Sequence, residues 1–175
     1  MGYTTDFDGS VSVTPPLNLH EVTYLRKLAG TRRMHRERGP YFVDGSGFMG
    51  QGDDEDIRDH NRQPPEQPSL WLHWQPTEDG SAIEWDGTEK FYDSEEWMAY
   101  LIETFLKPGA TVQAELANPV PGRDYPEAFR HFTFDHEVNG TIDAQGEDAE
   151  DRWRLVVTAN EVTTQHARFV WIDEG

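Results

Sequence analysis

The chain has 175 residues, with 33 acidic against 15 basic, a net charge of −18 and no cysteine. Disulfides and thiolate metal centres are therefore excluded, and such a field repels nucleic acid and anionic membranes at long range. Hydrophobic residues make up only 35%, but aromatics reach 12%, so one domain over residues 1–175 can bury its core through a few large rings.

The first residues, MGYTTDFDGS, carry neither a basic segment nor an apolar one, so no signal peptide is expected and the cytoplasm is the expected compartment. No apolar run approaches the ~20 residues that span a bilayer. SVSVT, residues 10–14, alternates as a strand and is stopped by Pro15 and Pro16. The stretch LNLHEVTYLRKLAG follows, with Asn18 placed to cap a helix and Glu21 three residues on. Val22, Leu25, Leu28 and Ala29 share one helical face, which predicts an N-terminal helix over 19–29. Arg32, Arg33, Arg36 and Arg38 then form a basic island, read as an internal counterweight to the carboxylates in preference to an anion site.

Gly45, Gly47 and Gly50 match G-x-G-x-x-G. A dinucleotide loop needs a helix directly after the glycines, so that its positive end meets the pyrophosphate. Here Asp53, Asp54, Glu55 and Asp56 follow instead. No nucleotide cofactor is predicted. Residues 45–68 read as one long exposed Gly/Asp/Pro-rich loop, with Phe48 and Met49 as the apolar anchors of its glycine neck. Its acidic cluster is no EF-hand, because counting from Asp54 the required Gly and Glu positions hold Asp59 and Pro65. No metal site is predicted.

SLWLHWQ, 69–75, reads as a strand with Leu70, Leu72 and Trp74 on one face and Trp71 and His73 on the other. Aromatics on the outer face of such a strand can form a binding platform. SAIEWDG completes an antiparallel hairpin. DSEEWMAYLIETFLKPG is the main helix, with Asp93 as its expected cap and Trp97, Leu101 and Phe105 as its stripe. ATVQAELA, FRHFTFDHEV, GTIDAQ, WRLVVTA and VTTQHARFVWI read as strands. In the second of these, His131 and Asp135 fall on one face and could do acid–base work. Neither G-x-S-x-G nor cysteine supplies a nucleophile. Strands in runs, with two helices and no βα alternation, predict an α+β fold: an antiparallel β-sheet packed against one main helix, with a second, N-terminal helix.

The segments MGYTTDF, YLRKLAGTRRM, GSGFMGQ, DHNRQPPEQPSLWLHW, EWDGTEKFYDSEEWMAYLIETFLKPGA and GTIDAQGEDAEDRWRLVVTANEV together resemble a family of small acidic proteins of phages, prophages and bacteria. The resemblance covers most of the chain and brings no assigned activity with it. Residues 118–137 depart from that pattern and read as an insertion. The remaining candidates for a binding site are Arg32, Arg33, Phe48, Met49, Asp59, His60, Arg62, Asp86 and Lys90. The expected function is non-enzymatic binding: an acidic module docking on the basic surface of a protein partner as a nucleic-acid mimic, without binding nucleic acid or membrane itself. The alternative is a small metal- or carboxylate-dependent hydrolase near Asp59 and His60.

Overall fold

A computed structural model describes residues 2–45 and 54–175. The expected α+β architecture is present. Six antiparallel strands form one sheet in the order β4-β5-β1-β6-β7-β8. They are β1 Asp6–Thr14, β4 Trp74–Pro76, β5 Ala82–Trp85, β6 Glu137–Gln145, β7 Arg152–Thr158 and β8 Glu161–His166. A two-stranded ladder of β2 His35–Arg36 and β3 Ile57–Asp59 stands apart from it.

Strand alternation assigns the two faces of the sheet. In β1 the side chains of Phe7, Val11 and Val13 are buried, while Asp6, Asp8, Ser10, Ser12 and Thr14 are exposed. The β1–β6 register pairs Val13 with Val138 and Phe7 with Ala144. Ile142, Leu155 and Val157 continue the buried face. Phe7 sits at its centre, edge-on to Trp74, Trp85, Phe91 and Trp153, with ring centroids 5.1–5.9 Å away. Edge-to-face contacts of this kind add about 0.5–1.5 kcal/mol per pair beyond area burial.

The helices cover that face. Helix α1, Leu19–Gly30, is closed by a full capping box: the Glu21 amide donates to Asn18 Oδ1, and the Asn18 amide donates to Glu21 Oε1. It buries Val22, Tyr24, Leu25, Leu28 and Ala29. Helix α2, Ser94–Leu101, runs on through a widened π-turn, Ile102–Leu106, whose Ile102 carbonyl accepts from the Lys107 amide. Trp97, Met98, Ile102, Phe105 and Leu106 are fully buried there, so the widened turn serves core packing. In the β4–β5 turn, Gly80 has φ +74° and leaves no room for a Cβ against the Leu17 carbonyl.

Several expectations fail locally. Asp93 does not cap α2: it is left-handed, φ 57°, with no side-chain bond to the helix start. Residues 111–117, expected as a strand, form helix α3, Thr111–Ala117, with Val112 as its buried anchor. Of the 69–75 strand only the end pairs with the sheet, as β4. FRHFTFDHEV opens as a 3-10 turn, Glu127–His131, and becomes a strand only at Glu137. β8 stops at His166, leaving Phe169, Val170, Trp171 and Ile172 exposed. In FRHFTFDHEV the aromatic alternation reads as strand, while burial of Phe129, Phe132 and Phe134 in the core fixes a 3-10 turn and an extended segment instead.

Candidate functional site

A groove of about 820 Å³ lies beside the end of α1. Its walls come from the segment before β4 and from the loop between β5 and α2. Leu72 and Trp74 are fully buried and pin the first segment to the core. The alternate residues, Trp71 and His73, line the groove. Their rings are nearly parallel, 8° apart with centroids at 6.3 Å. Phe91 backs His73 edge-on at 5.2 Å.

Asp86 fixes the imidazole. Its Oδ2 lies 3.0 Å from His73 Nδ1, its Oδ1 accepts from the Thr88 amide at 2.8 Å, and its own amide donates to the His73 carbonyl. Burial by itself would raise the Asp86 carboxyl, but the His73 and Thr88 hydrogen bonds outweigh it and hold the group below the usual range. An ionised carboxylate only accepts, so Nδ1 of His73 carries the proton of that bond, and in the neutral tautomer this leaves Nε2 as the acceptor. No described residue bonds to Nε2 or to the indole N–H of Trp71.

The loop also brings Glu89, Lys90, Tyr92 and Asp93 to the groove. Lys90 and Asp93 both hold positive φ, 62° and 57°. Left-handed backbone at non-glycine residues costs on the order of 1–3 kcal/mol, and it clusters where side chains are aimed for a task. Lys90 Nζ lies 3.6 Å from Glu89 Oε2, so the loop's cation is already matched by a carboxylate. The Asp93 carboxylate has no partner among the described residues.

Of the residues singled out from the sequence, Asp86 and Lys90 meet in this groove. The others lie elsewhere. Arg32 donates to the His60 carbonyl and to Asn61 Oδ1, tying down the loop after β3. Arg33 is buried and donates to the carbonyls of Thr31, Pro40 and Phe42, and burial lowers its guanidinium to about 10. It is a staple of the 31–42 segment. Asp59 accepts from the Asn61 amide in a local turn, while the His60 and Arg62 side chains are exposed. Asp59 and His60 line none of the groove. Phe48 and Met49 lie outside the described residues. Among the described residues, no group of three or more His, Asp or Glu could hold a metal ion, and no helix is long and apolar enough to cross a membrane.

The His131–Asp135 pairing does not form. His131 stacks on His20, with centroids 3.8 Å apart, and Asp135 accepts from the Thr133 hydroxyl. The 3-10 turn removes the two-residue alternation that would have put them on one face. The histidine buried against a carboxylate in this part of the chain is instead His136. Its Nε2 donates to Glu21 Oε2 at 2.8 Å and its Nδ1 to the Pro15 carbonyl at 2.6 Å.

No family model, curated protein or solved structure matches the chain.

Proposed function

We propose that this chain is a non-enzymatic binding module that docks on a basic protein surface, with the groove as the seat of contact. The supporting observation is the groove's composition. Asp86, Glu89 and Asp93 line it against a single cation, Lys90, beside the parallel rings of Trp71 and His73. Aromatic anchors set in a concavity are the usual energetic centres of protein interfaces. A net charge of −18 steers cationic partners toward it and keeps nucleic acid away. In this reading the protein competes, in the cytoplasm of a bacterium, for a basic surface that otherwise holds nucleic acid, as a member of the phage and bacterial family it resembles.

Capture from a bacterial lysate at low salt tests this. The expected partner is released by raised salt and by added duplex DNA, and the Asp86→Asn/Glu89→Gln/Asp93→Asn variant captures far less of it. Capture that is indifferent to salt and unchanged in the triple variant would sink the reading.

A second reading rests on the unbonded Nε2 of His73. An Asp–His pair that presents a bare nitrogen to a cavity has the arrangement of a general base for water. That moves the hydrolase alternative from Asp59 and His60 to His73 and Asp86. Turnover of chromogenic esters or phosphodiesters, abolished by His73→Gln, would establish it; absence of turnover across both classes would remove it.

A further inference from the structure

We infer that the groove is built for a guanidinium group, so that an arginine side chain of the basic partner is what it seats. The inference rests on the docking reading and narrows it to one side chain.

The groove combines planarity with acceptors. Trp71 and His73 both line it with parallel rings, 8° apart and 6.3 Å between centroids, so each offers a planar aromatic face in the same orientation. His73 Nε2 has no partner among the described residues, and with Asp86 engaging Nδ1 it is the nitrogen of the neutral tautomer that accepts. The Asp93 carboxylate is likewise unmatched. Glu89 is shared with Lys90 at 3.6 Å, a loose contact that leaves acceptor capacity. Three acceptors beside a π-face call for a ligand that is flat, cationic and rich in donors. A guanidinium has five N–H donors, no acceptor and a planar face that stacks on aromatics. An ammonium has the charge without the plane. A neutral planar ring stacks but leaves the carboxylates unmatched. An anion meets a groove with three carboxylates and one lysine. The volume, about 820 Å³, exceeds one side chain and leaves room for the backbone that carries it.

The test uses the whole chain and three pentapeptides, Gly-Gly-X-Gly-Gly, in which X is arginine, lysine or citrulline. Citrulline keeps the plane and loses the charge; lysine does the reverse. Nitrogen-15 spectra resolve the tryptophan indole signals, and Trp71→Leu identifies the one belonging to Trp71. The arginine peptide is expected to shift that signal and to bind about tenfold more tightly than either of the others, the scale of a partly desolvated cation–π contact. Glu89→Gln/Asp93→Asn, at two exposed positions, should weaken it several-fold without unfolding the chain. Equal binding of lysine and arginine, or of citrulline and arginine, overturns the inference. So does arginine binding that leaves the Trp71 signal unmoved, or that survives the Glu89/Asp93 variant unchanged. Equal lysine and arginine binding, or an unmoved Trp71 signal, leaves docking through charge standing. Failure of both cationic peptides to bind at low salt removes the docking reading as well.

Discussion

Two histidine–carboxylate pairs divide this molecule between architecture and exposure. His136 and Glu21 lie where the loop before β6 meets the start of α1, with side chains 1% and 0% exposed. His73 and Asp86 lie in the groove, at 10% and 19%. In the first pair both imidazole nitrogens are occupied, by Glu21 and the Pro15 carbonyl. The Pro15 carbonyl only accepts, so Nδ1 donates, and the bond from Nε2 to Glu21 favours the protonated ring. In the second pair only Nδ1 is engaged. A saturated histidine has nothing left to offer a ligand, and its role is to tie elements together. A half-satisfied one at the wall of a groove has an acceptor to spare.

The largest expected effect comes from breaking the saturated pair. His136→Ala leaves the Glu21 carboxylate buried with its counter-charge removed, and should cost about 3–5 kcal/mol in urea denaturation. A cost below about 1 kcal/mol, the range of a surface ion pair, would show that the pair is not the fastening its burial indicates.

The same pair sets a pH signature. Burial alone would lower the His136 pKa, but the hydrogen bonds to Glu21 and the Pro15 carbonyl and the charges of Glu21 and Asp135 raise it above 6.5. The folded state therefore binds the proton more tightly than the unfolded chain. The stability this supplies is fully present below the unfolded value, near 6.5, and is lost as pH climbs through the raised native value. Unfolding midpoints should fall as pH rises above about 6.5, and in His136→Gln that component of the fall should vanish. An identical profile in the variant would assign the titration to another group.

The smallest expected stability effect belongs to the groove. Asp86→Asn removes a partly exposed partner from His73, with Thr88 still able to donate to the remaining side-chain oxygen. It should cost about 1 kcal/mol or less in the same urea experiment. If it instead matched His136→Ala, the contrast between the two pairs would collapse and the groove pair would be structural too.

The legibility of these features in the sequence follows their range. The capping box of α1 spans three residues, and the alternation of β1 is a nearest-neighbour pattern. Both are written locally. The outward pairing of Trp71 with His73 was legible too, although only β4 at the end of that segment joins the sheet. The groove as a whole was not, because Trp71 and His73 are separated from Glu89, Tyr92 and Asp93 by a hairpin, and only its turn brings them together. His136 stayed hidden for the same reason, since its carboxylate partner lies 115 positions away. The nearer carboxylate, Asp135, lies 3.7 Å from Nε2 and is largely exposed.

By itself the sequence determined the α+β class, the antiparallel pattern, both principal helices and the acidic field. Each depends on periodicity or composition, which neighbouring residues encode. Only the tertiary structure decided which histidine was saturated and which was left with a bare nitrogen. It also set Asp93 in left-handed backbone away from its expected cap. For the histidines, burial against a distant partner decides; for 111–117 the Ala, Gln, Glu and Leu content already favours helix over the weak alternation that suggested a strand.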